Sequence, residues 1–214
     1  MGHRDEAALM PDWEEYAETH RHDPASYLDE PPQRERVERT ADRCGPSEWS
    51  VLDVGASDGF CSYVFQQCGH PVQAVDISPS RVDRIKADYG IEAEVADAAA
   101  LPYPDGSFDV VVLGEVLEHC PNPGLVFAEA CRVARERVVI SVPLNGWADP
   151  THEWRISIDR VGAPNFLNPT KGEQAVITWQ RGRCWSNSEQ GYFIHDEKWK
   201  RQFLDEAHPV TRIQ

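Results

Sequence analysis

The sequence predicts a single α/β domain built on a doubly wound, mostly parallel sheet with helices on both faces. Three observations carry this prediction. Short apolar runs alternate with segments whose apolar residues recur at helical spacing, the pattern of parallel strands joined by crossover helices. The run Val51-Leu52-Asp53-Val54 meets a tight turn, Gly55-Ala56-Ser57-Asp58-Gly59, and a helical period then begins at Cys61, Val64, Phe65 and Cys68. At 214 residues and 41% hydrophobic content, the chain suits one packed core and one domain.

The elements follow in order. Residues 1–45 read as an N-terminal helical cap: they are charged, punctuated by Trp13, Tyr16, Tyr27 and Leu28, and broken by Asp23-Pro24 and Pro31-Pro32. Gln33 to Cys44 forms a helix with Val37 and Ala41 on one face, ended by Gly45-Pro46. Val51 to Val54 is the first strand, and Pro71 to Ile77 is the second, closing on Asp76. Ser78 caps the next helix, Pro79 sits in its first turn, and Val82, Ile85 and Tyr89 face inward. The third strand lies near Ile91 to Val95 and the fourth at Val110 to Leu113. Pro121-Asn122-Pro123 opens a helix with Val126, Phe127, Ala130 and Ala134 inward, and Arg137 to Val142 is the fifth strand. Beyond Pro143 the pattern loosens into turn-rich sequence, with Ala175 to Gln180 and Gly191 to Ile194 as a final antiparallel pair. The domain thus divides into a cap (1–45), a ligand-binding core (46–145) and an acceptor loop with C-terminal strands (146–214).

The glycine turn defines the chemistry. Ligands bind such sheets at the carboxyl ends of the strands, where this turn lies. Gly55 and Gly59 let the backbone bend tightly and approach a ligand. Asp53 sits inside an apolar strand, where an unpaired carboxylate is costly, so it bonds turn amides or a ligand amine. Asp58 is placed to cap the helix that follows. A dinucleotide site needs G-x-G-x-x-G to seat a pyrophosphate, and here position 57 is Ser and position 60 is Phe. An acidic strand and turn instead suits a ligand with an amino group and no phosphate.

The remaining pattern, an acidic residue, x, Gly, x-x-x, Gly, resembles the first motif of class I S-adenosylmethionine (SAM)-dependent methyltransferases. The resemblance runs from about residue 48 to 145, and LPYPDGSFDVVVLGEVLEH (101–119) is similar to the small-molecule branch, with ubiquinone-methyltransferase-like motifs. It implies a Rossmann-like sheet of seven strands with the last antiparallel. It implies that Asp53, Gly55, Ala56 and Gly59 hold the cofactor with Gly114, that Asp76 and Ile77 take the ribose, and that Asp97 and Ala98 take the adenine.

Two stretches follow strands four and five on the ligand side: Gly114 to His119, and Asp149 to Arg155. An acceptor hydroxyl must lose its proton as it attacks the methyl carbon, a task suited to an imidazole. His152 is the first candidate for this base and His119 the second; Asp149 or Glu153 orients the ring, Arg155 holds an acidic acceptor, and Glu115 lines the acceptor site. In a second arrangement Glu115, Glu118 and His119, at i, i+3 and i+4, share a helical face and with His152 hold Mg²⁺ or Mn²⁺. That set resembles the small-RNA 3′-end ribose 2′-O-methyltransferases. A third alternative is a methyltransferase-like module that binds SAM without transferring a methyl group. The first arrangement is the principal expectation: methyl transfer to a hydroxyl of a small molecule or sugar.

Composition narrows the partners. A net charge of −15 repels nucleic-acid phosphates and anionic membranes, so nucleic acid is an unlikely substrate. No run approaches the ~18 apolar residues of a membrane span. The N-terminus lacks the apolar core of a secretory signal. The six cysteines contain no C-x-x-C pair and read as free thiols in a reducing compartment. These features predict a cytoplasmic protein, and they leave the oligomeric state open.

Overall fold

The computed structural model describes residues 13–19, 21 and 31–143, with strand segments at 157–158, 164–165, 174–180, 183–186 and 193–195. Two helices precede the sheet: α1 (Trp13–Thr19) and α2 (Pro31–Ala41). The core then runs β1 (Val51–Val54), α3 (Phe60–Gln67), β2 (Val72–Asp76), α4 (Pro79–Tyr89), β3 (Glu92–Val95), β4 (Phe108–Gly114), a single 3-10 turn (Leu117–His119), α5 (Pro123–Val133) and β5 (Ala134–Pro143). Short strands β6 (Ser157–Ile158) and β7 (Pro164–Asn165) pair with each other. The edge strands are β8 (Gln174–Gln180), β9 (Arg183–Ser186) and β10 (Phe193–His195).

The large sheet has the order β10-β9-β8-β5-β4-β1-β2-β3. Strands β3, β2, β1, β4 and β5 are parallel. This is the Rossmann-like, mostly parallel arrangement that the alternating pattern predicts. The expected strand count needs correction: five parallel strands are followed by three antiparallel ones, β8 against β5, β9 against β8 and β10 against β9. Only Arg181-Gly182 separates β8 from β9, so the two pair as a hairpin. The run Arg183–Ser186 carries too few apolar residues to announce itself as a strand.

Side chains of β1 alternate between two cores. Leu52 and Val54 join Val111, Leu113, Val138 and Ile140 against Val126, Phe127 and Ala130 of α5. On the other face Val51, Val110, Val112 and Val139 pack with Phe65 of α3 and Ala41 of α2. Ala74 and Ala93 extend that second layer against Val82 and Ile85 of α4. Helices therefore cover both faces, and each fully buried Val or Leu contributes about 1.5–3 kcal/mol. The central strands end among the glycine turn, the 76–78 bend and the 114–119 segment, which together surround a cavity.

Two helix details follow the sequence and two depart from it. Ser78 Oγ accepts from Arg81 N at 3.3 Å with Pro79 in the first turn, and Asn122 Oδ1 accepts from Leu125 N at 3.1 Å. Asp58 does not cap α3; the capping position is Gly59 at φ 80°, with no side-chain bond. Asp58 turns instead to Arg84, 3.1 Å away, because α4 brings a cation to it. Cys68 is exposed rather than packed on the apolar face, because α3 ends one residue before it.

Candidate functional site

A cavity of about 470 Å³ opens at the carboxyl ends of β1, β2 and β4. Its wall includes Asp53, Gly55, Ala56, Asp76, Ile77, Asp97, Ala98, Gly114, Glu115 and His119. Eight of the nine expected cofactor residues therefore converge. The exception is Gly59, which turns the chain into α3 beneath the wall; a Cβ there would come within 2.7 Å of Ile85 Cγ1. Gly55 has two reasons to be glycine: φ is +69°, and a Cβ would lie 2.6 Å from Val116 Cγ2.

At one end of the cavity Asp76 is buried, with Oδ2 accepting from Ser57 N at 2.8 Å and Oδ1 from Ser78 N at 3.0 Å. Burial pushes its carboxyl above the usual range, while the two amides and the Arg81 guanidinium pull the other way. Ser57 presents its amide from a left-handed conformation, φ 52°, where glycine would be relaxed. Ile77 stands half exposed beside it, an apolar platform at the rim. Asp97 is exposed at the rim, and its Oδ1 accepts from Ala99 N at 2.8 Å.

The other end gathers opposite charges. Asp53 is 3% exposed, and Ser62 Oγ donates to its Oδ2 at 2.6 Å. Burial lifts its carboxyl to about 6, against the pull of Ser62 and Arg36. Glu115, also at a left-handed φ (57°), follows β4 and its amide donates to Ser141 O at 2.9 Å. Its carboxyl is raised by burial and lowered by Arg36 and a Ser141 hydrogen bond, while Oε1 is buried with no partner. Arg36 is 5% exposed; Nη1 donates to Ser141 Oγ at 3.2 Å, and Nε donates to Gln33 Oε1 at 3.3 Å.

Arg36, Gln33, Tyr16 and Arg81 line the cavity and were not expected from the sequence. For Arg36 a signal existed. Gln33, Arg36, Val37, Thr40, Ala41 and Cys44 recur at three- and four-residue spacing, so Arg36 belongs to the inward face of α2. Its charge made it look like its exposed neighbours Arg34, Glu35, Glu38 and Arg39.

The expected helical face of Glu115, Glu118 and His119 does not form. Glu115 leaves the helical region altogether, and only a single 3-10 turn, Leu117–His119, follows it. Glu118 is 1% exposed and lies outside the cavity wall, whereas Glu115 and His119 line it. Among the described residues no three His, Cys, Asp or Glu side chains are grouped so as to hold a metal ion. Asp149, His152, Glu153 and Arg155 lie outside the described residues.

Comparison with known proteins agrees with this geometry. Residues 52–142 match the family model of a methyltransferase domain. Over 139 residues the chain is 33% identical to the 2-methyl-6-phytyl-1,4-hydroquinone methyltransferase of Synechocystis sp., covering 58% of this chain and 43% of that one. It is 31% identical to the sarcosine/dimethylglycine N-methyltransferase of Halorhodospira halochloris (64% and 54% covered) and 34% identical to the ubiquinone biosynthesis O-methyltransferase of Xanthomonas axonopodis pv. citri (45% and 42% covered). The chain spans about half the length of these relatives. Among solved structures, the MccD protein superposes with a TM-score of 0.51 at 23% identity (54% and 55% covered), and the YcgJ protein of Bacillus subtilis with 0.50 at 19% identity (56% and 61% covered). These two share the fold. The segment from β1 to β5 belongs to the class I SAM-dependent methyltransferase superfamily. The cofactor of that superfamily is SAM, and the residues of the cavity fit it: a cation and carboxylates at one end, a carboxylate held by two backbone amides at the other.

Proposed function

We propose that the chain transfers the methyl group of SAM to a hydroxyl of a small molecule or sugar, with a histidine as general base. The observation that carries the reading is the pairing of ends in one cavity. Arg36 beside Asp53 and Glu115 complements an amino acid's carboxylate and ammonium. Asp76, with both oxygens already held by amides, complements a ribose diol, and Ile77 offers an apolar surface to a base. When bound, SAM supplies a methyl carbon made electrophilic by its sulfonium.

The chain's own groups do the rest. Arg36 and Glu115 fix the amino-acid end, and Asp76 fixes the ribose. Most of the rate enhancement comes from this positioning. His119, on the cavity wall after β4, accepts the acceptor's proton as the carbon–oxygen bond forms. His152 is the other candidate for that role, with Asp149, Glu153 and Arg155 as acceptor-binding partners. Relatives named for oxygen and for nitrogen transfer both match this chain. The hydroxyl is favoured here because it is the acceptor that requires a base.

The test is transfer of label from methyl-labelled SAM to a panel of phenols, sugar alcohols and amines, with His119→Ala and His152→Ala beside the parent. Label on hydroxyl compounds, lost at least a hundredfold in one histidine variant while S-adenosylhomocysteine binding is unchanged, supports the proposal. Label on amines alone, or full activity in both variants, overturns it. Binding of S-adenosylhomocysteine with no transfer to any acceptor returns the chain to the non-catalytic module.

A further inference from the structure

Arg81 has no task in the mechanism above, yet its position is costly. It is 7% exposed, lines the cavity, and its Nε is buried with no hydrogen-bond partner. Its Nη1 lies 3.9 Å from Asp76 Oδ2, beyond hydrogen-bond length. Asp76 does not need it, because backbone amides of Ser57 and Ser78 already meet both carboxylate oxygens. The guanidinium is held in place from elsewhere. The ring of Tyr16, on α1, lies over it with 5.5 Å from Cζ to the ring centre. One turn further along α4, Arg84 docks α1 itself, with Nη2 donating to Ala17 O at 3.2 Å and Nη1 3.2 Å from Glu18 Oε1. A cation is thus packed beside an acceptor-only carboxylate on the wall of the cavity.

A hydroxyl group has one proton to give and lone pairs to receive with. Asp76 uses only the proton. Resting on the reading of this cavity as the SAM site, we propose that Arg81 is a second ribose-recognition residue, its Nη groups donating to the lone pair of a hydroxyl whose proton goes to Asp76. Both halves of the hydroxyl are then used, and the site demands a hydroxyl at that carbon. A site built with paired donor and acceptor rejects an analogue lacking the group far more strongly than an apolar pocket does, because its polar atoms are left unmet. Tyr16 keeps water from competing for the donor, which ties α1 to cofactor selectivity.

The experiment is calorimetric titration of S-adenosylhomocysteine and its 2′-deoxy and 3′-deoxy analogues into the full chain and into Arg81→Met, which keeps length and packing under Tyr16. The expected result is roughly tenfold weaker binding of S-adenosylhomocysteine by the variant, the size of one lost charge-assisted hydrogen bond. For one of the two deoxy analogues, parent and variant should bind alike. Where the Met variant fails to fold, Arg81→Leu also removes every donor and should show the same ligand dependence. Equal loss for all three ligands, or no loss for any, overturns the assignment of Arg81. Absence of S-adenosylhomocysteine binding by the parent overturns the cofactor reading itself and is seen before any variant is tested.

Discussion

The two ends of the cavity hold their carboxylates in opposite ways. At the end proposed for the ribose, Asp76 has both oxygens bonded to backbone amides. At the end proposed for the amino acid, Asp53 has one oxygen on Ser62, Glu115 keeps one buried oxygen without a partner, and Arg36 is their shared cation. The first end is finished by the fold. The second is left for a ligand to finish, since a bound ammonium and carboxylate would supply the missing counter-charges. Stability and binding are therefore coupled at the second end and nearly separate at the first.

Arg36→Met breaks this comparison most severely. It leaves the buried Asp53 and the partly buried Glu115 without their common cation, and removing one partner of a buried pair costs about 3 kcal/mol or more. S-adenosylhomocysteine binding should fall at least a hundredfold by calorimetry, with a lower midpoint in urea. Unchanged affinity would mean that the amino-acid end lies elsewhere.

Asp53→Asn sharpens the same end through its pH dependence. The carboxyl titrates near 6 in the folded chain, against 3.8 ordinarily, so the folded state holds its proton more tightly. Stability should accordingly fall as pH rises from about 4 to about 6 and stay flat above, a loss of up to about 3 kcal/mol. The Asn variant, still able to accept from Ser62, should lack that fall and be more stable than the parent at pH 7.5. It should also bind S-adenosylhomocysteine more weakly there, and lack the gain in affinity expected of the parent between pH 5 and 7. Urea titrations and calorimetry across that range measure both. Parallel pH curves for parent and variant would remove Asp53 from the coupling.

Gly55→Ala probes the turn between the two ends. The new methyl meets Val116 at 2.6 Å from a backbone at φ +69°, so about 2 kcal/mol of stability should be lost. Val116→Ala in the same chain should recover part of it by opening the contact; no recovery would assign the whole cost to the backbone.

What could be read from sequence divides along similar lines. The central parallel strands were legible because strands buried on both faces are nearly continuous apolar runs: Val51 to Val54 coincides with β1, and Pro71 to Ile77 brackets Val72–Asp76, whereas the edge strand Glu92–Val95 alternates. Residues at strand ends, Asp53, Asp76, Asp97 and Gly114, were legible because the resemblance to the methyltransferase motifs marks them and topology sends strand ends to the ligand side. Arg36 and Arg81 were not, since a charged residue on a helix looks the same in sequence whether it meets water or a cavity. Glu115 misled for a third reason. Its spacing to Glu118 and His119 is helical, but the backbone leaves β4 through a left-handed residue, which no periodicity reports.

That left-handed geometry has a counterpart at the ribose end, and it gives the mildest test. Ser57 occupies φ 52°, a region in which an L-residue other than glycine is strained by roughly 1 kcal/mol. The strain places its amide 2.8 Å from Asp76 Oδ2, and glycine would place it there without strain. Ser57→Gly should therefore raise stability, by less than about 1 kcal/mol because glycine also gains freedom in the unfolded chain. S-adenosylhomocysteine affinity should stay within a factor of two of the parent, because the Asp76 acceptor is unchanged. A variant that is no less stable but binds several-fold more weakly would show that the Ser57 side chain, and not only its amide, belongs to the ribose end. The contrast between an end finished by backbone and an end finished by ligand would then need redrawing at this residue.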